Sequence, residues 1–366
     1  MPSAAIRIPM DLDHFLQTLT ESQLLAAIDV QACLQWAQAD PTLLPQQLAL
    51  HLLRHGKLSR YQMDRLLMGR PQGLVLGPFE ILAPLGKGGM GIVFLARDHA
   101  NQRLVALKML STKKQSQHPN YYERLQREMQ FARSLSHPHI VKVFSLTQHG
   151  EIHCLAMELV PGQDLGHYVR RKGPLPLNLA TRCLAGIALA LEAIHRRGIV
   201  HTDVKPGNIL FSTPLPVIPA QSNGQAPMAW PVDRYQAKLI DFGLALDLED
   251  AAANRQIVGP GRIAGTFAYA APEQTRTNPT IGPAADIYAF GSTLYFILTG
   301  QPPFPGGSTK EKIKRVRHEA PPRPSQLRPE IPAWLDDLVL QMLAKRPKDR
   351  PKNASIVADR LFHGKV

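Results

Sequence analysis

Apolar residues recur at three and four positions from Leu12 onward (Leu12, Phe15, Leu16, Leu19, then Leu24, Leu25, Ile28, Cys33, Leu34, Ala37), which predicts helix from Leu12 to about Ala39, stopped by Asp40-Pro41. A second helix is predicted from Pro45 to His55, ending at Gly56. Ser59, whose hydroxyl can accept from the free N-H groups of a first turn, opens a third that runs to Met68 with Gly69 just beyond. After Gly77-Pro78 the pattern changes. Phe79 to Leu82, Ile92 to Ala96 and Leu104 to Leu110 read as short strands of a small antiparallel sheet. Helical spacing covers Tyr121 to Ser136 and returns from about Leu177. Two Pro-rich stretches, Ser212 to Gln236 and Ala320 to Pro332, read as surface loops. The chain thus divides into a helical extension (1–75), a β-rich unit (76–160) and a mainly helical unit (161–366).

Composition narrows the function classes. With 366 residues and 44% hydrophobic content the chain can bury the cores of two or three domains. The formal charge of +13 lies wholly downstream of the extension, where six basic residues balance six acidic ones. Its densest run, Lys310 to His318, lacks aromatic residues for base stacking, so it reads as a solvated face and no nucleic acid is expected. Cys33, Cys154 and Cys183 have no CxxC spacing, which argues against a disulfide framework or a cysteine zinc site and fits a reducing, cytoplasmic setting. The most membrane-like stretch, Ile287 to Leu298, is interrupted by Gly291, Ser292 and Thr293, so no membrane span is expected. His51 and His55 have HxxxH spacing, but no Glu follows His51 and no third ligand is evident, which leaves a helix surface. Nothing in the pattern fixes an oligomeric state.

The first chemical signal is Gly86-Lys87-Gly88-Gly89-Met90-Gly91, set between two strand-like runs. A dinucleotide-binding loop would open a helix and be followed by an acidic residue about 20 positions on, and neither is present. On this segment alone a glycine hairpin without a ligand remains open. Val105-Ala106-Leu107-Lys108 then sets a cation in a buried strand, where it needs an opposite charge. Glu128 is the candidate.

Further along come His201-Thr202-Asp203-Val204-Lys205-Pro206-Gly207-Asn208, Asp241-Phe242-Gly243 and Ala271-Pro272-Glu273. In this order and spacing they resemble the catalytic loop, the metal-binding tripeptide and the end of the activation segment of eukaryotic-type protein kinases, over residues 77 to about 362. The resemblance implies an α+β fold: a bilobal kinase with a small β-rich lobe carrying one helix and a large, mainly helical lobe, here preceded by a small all-α extension. It also implies an ATP-dependent transfer to Ser or Thr hydroxyls of protein substrates. Asp203 would orient the attacking hydroxyl and Lys205 face the transferred phosphoryl group; a lysine there marks serine/threonine specificity in the family. Lys108, oriented by Glu128, would hold the α- and β-phosphates under the glycine loop 86–91, and Asn208 and Asp241 would ligate Mg2+ or Mn2+. Leu85, Val93, Ala106, Met157, Glu158, Val160 and Leu210 would line the adenine pocket. Asp286 and Arg350 match structural anchors, with Arg350 paired to Glu273.

Three positions depart from the family pattern. Thr202 stands where regulated kinases carry an arginine that receives an activation-loop phosphate. Phe242 to Gly265, where that phosphate would sit, contains no Ser, Thr or Tyr, which implies activity without activation-loop phosphorylation. Thr266 follows and, by resemblance, its hydroxyl bonds to Asp203 and Lys205. About twenty residues are inserted between Asn208 and Asp241, and Phe267 stands where proline is common. The run from Leu44 to Pro78 is similar to the extension that precedes the kinase domain in planctomycete-type bacterial serine/threonine kinases. A pseudokinase, an ATP-binding signalling scaffold on the same fold, is the alternative function. The intact set Lys108, Glu128, Asp203, Asn208 and Asp241 favours catalysis.

Overall fold

Hydroxyl side chains near the end of the first helix decide where it stops. In the computed structural model, which describes residues 10–88, 91–110, 133–212, 235–240, 246–247, 268–276 and 281–364, Thr18 and Thr20 bond back to the carbonyls of His14 and Leu16, and the Ser22 hydroxyl to that of Leu19. Gln23 then takes a left-handed backbone, φ 58°. The single helix expected over 12–39 is therefore two, α1 (Leu12–Glu21) and α2 (Ala27–Ala39). Next come α3 (Pro45–Arg54) and α4 (Arg60–Leu67), the latter capped by Ser59 as its sequence predicts. Phe15, Leu19, Leu48 and Leu66 form the dry centre of this bundle. Of α2 only Cys33 is buried, and Ile28 is 76% exposed, so much of its apolar spacing faces outward.

The chain forms two compact units, residues 1–126 with 143–159, and 127–142 with 160–366. In the first, the four helices join a six-stranded sheet of order β1-β2-β3-β4-β6-β5, built from β1 (Val75–Leu76), β2 (Phe79–Gly88), β3 (Gly91–Asp98), β4 (Arg103–Leu110), β5 (Val143–His149) and β6 (Ile152–Glu158). The pattern reading missed β5 and β6 because polar residues interrupt both runs. Phe79, Ile81, Val105, Leu107, Cys154 and Ala156 supply the buried face of the sheet. The joint with α4 is polar at its centre. Fully buried Gln62 donates from Nε2 to Glu80 Oε1 and to the Ile81 carbonyl, both at 2.9 Å, while the Ser59 hydroxyl donates to the Leu82 carbonyl at 2.6 Å. Tyr61 packs against Phe94 beside them, with ring centres 6.0 Å apart. Glu80 is further held by His99 and Arg97.

The second unit is helical around small strand pairs. Its helices are α5 (Leu165–Lys172), α6 (Leu177–His195), α7 (Pro283–Thr299), α8 (Thr309–His318), α9 (Ala333–Met342) and α10 (Ala354–His363). Strands β7 (Gln163–Asp164), β9 (Ile209–Ser212) and β10 (Gln236–Leu239) form one sheet, and β8 (Ile199–Val200) pairs with β11 (Leu246–Asp247). Ser212 and Gln236 are direct cross-strand partners, so the inserted residues join adjacent antiparallel strands; residues 213–234 lie outside the described set. Most of the helix expected at Tyr121 to Ser136 lies outside it too.

Three expectations change here. The most membrane-like stretch is α6 rather than Ile287–Leu298: among the described residues it alone is long and apolar enough to cross a bilayer, with 61% of its apolar window buried, and it packs on α10 and α7 as a core helix. The expected loop over 320–332 contains a one-turn helix, Pro324–Leu327, because Ser325 donates its N-H and hydroxyl to the buried Asp336 carboxylate. In the basic run, Arg315 is tied to the Pro305 and Gly306 carbonyls and Arg317 to Thr275, so only part of it is a free solvated face.

Replacing Gln62 by Ala leaves a buried carbonyl and part of a buried carboxylate without their donor, so it should cost about 2 to 3 kcal/mol of stability. Gln17→Ala, on the exposed face of α1, should stay within about 0.5 kcal/mol. Urea melts of both variants beside the parent check this; equal midpoints would mean that the polar joint does not hold the extension.

Candidate active site

Asp286 lies in the first turn of α7, where the free N-H end of a helix favours a carboxylate, and it is completely buried. Its Oδ1 accepts the backbone N-H of Thr202 at 2.7 Å. Its Oδ2 accepts that of His201 at 2.7 Å and the ring Nε2 of His195, from the end of α6, at 2.8 Å. Three donors on one carboxylate fix the backbone at 201–202. The Asp203 N-H reaches His201 Nδ1 at 3.3 Å, which assigns the ring proton to Nε2, where it faces the Ile240 carbonyl. Thr202 has φ 66°, a left-handed conformation uncommon for a β-branched residue, so it has to be held. Asp286 holds its N-H, and Gln274 Nε2 holds its carbonyl at 2.8 Å.

The next six residues bring three predicted groups together. Lys205 Nζ lies 2.7 Å from Asp203 Oδ2 and 3.0 Å from Oδ1. A 3-10 turn over Pro206–Asn208 carries Asn208 back, so that its Nδ2 donates to both the Asp203 carbonyl and Oδ2 at 2.9 Å. Asn208 is buried, whereas Asp203 and Lys205 keep about a quarter of their side chains exposed. The carboxylate is thus aimed by a cation and an amide while remaining reachable. With its nitrogen committed to Asp203, the atom Asn208 has to offer a cation is its amide oxygen. The Asn208 carbonyl accepts the Ile240 N-H at 2.9 Å, which ties the turn to the strand leading toward Asp241. Asp241 itself, Glu128, Thr266, Gly89 and Met90 lie outside the described residues.

In the first unit, β4 pairs Lys108 with Val93 on one side and Leu155 on the other, and Ala106 with Met157. Since side chains alternate along a strand, Lys108, Ala106, Val93 and Met157 share the face opposite buried Val105 and Leu107. Glu158, paired with Val105, falls on the other face, so its backbone is what it can offer to the Ala106 side. Gly86, Lys87 and Gly88 close β2 against β3. Gly91 has φ 146°, and a Cβ there would lie 1.9 Å from the Met109 carbonyl, so glycine is required by the fold. At Gly86 a Cβ would meet none of the described residues within 4 Å, so among them that backbone is open to a ligand. Leu85 is half exposed beside it. Leu210 of β9 and Val160 belong to the second unit.

Arg350 and Glu273 meet as their motifs imply, through a buried two-pronged pair at 2.6 and 2.8 Å. Arg350 also donates to the Ala344, Ala284 and Lys345 carbonyls. The pair anchors the 3-10 turn Pro272–Thr275 to the helical unit. The thiols are all unpaired and buried, and burial pushes Cys154 up to about 11 and Cys183 up to about 12, so neither is a ready nucleophile. The His51 and His55 ring centres lie 4.0 Å apart with the planes tilted by 33°, and no group of three metal-ligating side chains occurs among the described residues. Sequence reasoning did not single out Gln274 or His195, since neither residue type stands out without the contacts it makes.

Comparison with known proteins shows which family the chain belongs to. The protein kinase domain family matches residues 79–362. Serine/threonine-protein kinase PknE of Mycobacterium bovis is 35% identical over 281 residues, 76% of this chain and 44% of that protein. PknB of Mycobacterium leprae, also named a serine/threonine-protein kinase, is 36% identical over 76% of this chain and 41% of its own length. The chain therefore spans less than half the length of these curated relatives. A crystal structure of a double mutant of the PknI kinase domain from Mycobacterium tuberculosis superposes with a TM-score of 0.58 at 25% identity, over 79% of this chain and 97% of that one.

Arg350→Met should destabilise the second unit by roughly 3 to 5 kcal/mol, because Glu273 is left charged and buried without its partner. Adding Glu273→Gln should restore part of that loss. Chemical denaturation of the single and double variants checks this; a double variant no more stable than Arg350→Met would show that the unpaired charge was not the cost.

Proposed function

The chain belongs to the protein kinase domain family, with a β-sheet small lobe, a helical large lobe and a helical N-terminal extension, and from that premise we propose that it transfers the γ-phosphate of ATP to Ser or Thr hydroxyls of protein substrates. The observation that carries the proposal is the cluster of Asp203, Lys205 and Asn208 on one clamped loop. Protein kinases use ATP with a divalent metal; the hard amide oxygen of Asn208 and the open backbone at Gly86 fit that pair of ligands. Bound there, ATP supplies the phosphoryl group and Mg2+, or Mn2+, neutralises its charge.

The chain's own residues do the rest. Asp203 accepts and orients the proton of the attacking hydroxyl, and its carboxylate is kept on aim by Lys205 and Asn208. Lys205 is within reach to offset charge developing on the transferred group. Lys108, paired with Glu128, would hold the α- and β-phosphates, and Asn208 with Asp241 would hold the metal. We assign adenine contact to Leu85, Val93, Ala106, Met157, the Glu158 backbone, Val160 and Leu210, and phosphate contact to the loop Gly86 to Gly91. We assign residues 1–75, 76–160 and 161–366 to extension, small lobe and large lobe. The extension is of the planctomycete-like kind, and the protein works in a reducing cytoplasm, which its three free, buried thiols support.

Control by an activation-loop phosphate is not expected. Thr202 cannot make the charge-assisted pair that an arginine makes with a phosphate, and Phe242 to Gly265, outside the described residues, offers no hydroxyl to modify.

Incubating the protein with labelled ATP, Mg2+ and a basic protein substrate should give phosphoserine or phosphothreonine, and Asp203→Asn should lower the rate by about a hundredfold or more while the protein melts as the parent does. Equal rates for the two would remove Asp203 from the chemistry, and an inert parent that still binds ATP would be a pseudokinase. Phosphatase-treated protein should keep its initial rate; a loss beyond about tenfold, reversed by rephosphorylation within residues 242–273, would overturn the regulatory assignment.

A further inference from the structure

One primary amide links the end of the activation segment to the catalytic loop. Gln274, in the turn Pro272–Thr275, is buried and uses both ends of its side chain. Its Oε1 accepts the Ala271 N-H at 2.8 Å, and its Nε2 donates to the Thr202 carbonyl at 2.8 Å. The first bond is local. The second crosses 72 residues of sequence.

The carbonyl it reaches is a consequential one. The Thr202 C=O and the Asp203 N-H belong to the same rigid peptide plane, so rotating that carbonyl would swing the start of Asp203. Thr202 sits at φ 66°, where a β-branched residue does not stay without support, and Asp286 holds only its N-H side. Asp203's own N-H bond, to His201 Nδ1, is long at 3.3 Å. Among the described residues, the Gln274 amide makes a short, part-buried contact on the carbonyl side of the plane.

We propose that Gln274 is a positioning residue for phosphoryl transfer: it fixes the Thr202–Asp203 peptide plane and so makes the aim of Asp203 depend on the fold of Ala271–Thr275. That segment is itself anchored by the Glu273–Arg350 pair and by Arg317 on Thr275. The link is neutral, so it joins catalytic loop and activation segment without a phosphate. This rests on the kinase reading above, and it adds a side chain and a coupling to it.

Two variants separate the local bond from the long-range one. Gln274→Glu keeps an acceptor for the Ala271 N-H but sets an oxygen against the Thr202 carbonyl; Gln274→Met loses both bonds at similar size. If the clamp aims Asp203, both variants should lose about tenfold or more in kcat, with KM for ATP within about twofold of the parent. Amide hydrogen exchange over residues 199–208, followed by mass spectrometry, should speed up in both. If Gln274 only caps its own turn, Gln274→Glu keeps the parental kcat and exchange, and the proposal is overturned. Should Gln274→Glu fail to fold, Gln274→Met decides, and a folded Gln274→Met with parental kcat overturns it equally. A parent without transfer activity would overturn the kinase reading instead, while the exchange rates would still decide whether the clamp holds the loop.

Discussion

A single buried carboxylate, Asp286, carries the arrangement of the large lobe. It accepts three hydrogen bonds, two from consecutive backbone N-H groups and one from an imidazole, and has no exposed surface. A carboxylate so placed is tolerable only because every approach is from a donor and because it sits at a helix N-terminus. It also holds the N-H of Thr202, whose backbone is left-handed. From that bend follows the direction of Asp203, and from Asp203 the positions of Lys205 and Asn208. The strain at Thr202 is local, and the structure that sustains it comes from α6, α7 and the Pro272–Thr275 turn.

The small lobe uses the same device at lower charge. Gln62 is fully buried between the extension and β2, and its amide answers a carboxylate and a carbonyl that would otherwise be left unsatisfied. Apolar contact between Tyr61 and Phe94 supplies area, but the amide supplies register: a shift of α4 by one residue would take the Gln62 donor away from the Ile81 carbonyl and from Glu80 Oε1. The extension therefore meets the sheet through a specific polar joint and keeps its own core around Phe15 and Leu48. The outward apolar residues of α2, such as Ile28, take no part in that joint.

Both lobes place their candidate functional groups beside a rigid, dry layer. Lys108 shares its strand with Val105 and Leu107, whose burial fixes the strand and leaves the opposite face for Lys108 and Ala106. Asp203 follows directly on buried His201 and the held backbone of Thr202. In each case the reachable side chain is one or two residues from one that cannot move.

The sequence by itself determined whatever is settled within a few residues. Asp203, Lys205 and Asn208 meet because a proline-initiated turn of fixed length brings the sixth residue of the run back to the first. The motif order told which family to expect. Tertiary structure alone decided the rest. Asp286 binds residues 84 and 85 positions earlier, Arg350 one 77 positions earlier, and Gln274 one 72 positions earlier. Resemblance named Asp286 and the Arg350–Glu273 pair as anchors, but the atoms that Asp286 and Gln274 bind could not be read from spacing. The break between α1 and α2, the helical turn at 324–327 and the strands β5 and β6 escaped the pattern for the same reason. Local periodicity records which face of an element is apolar; which polar partner arrives from elsewhere to end, hold or pair that element depends on how the whole chain is packed.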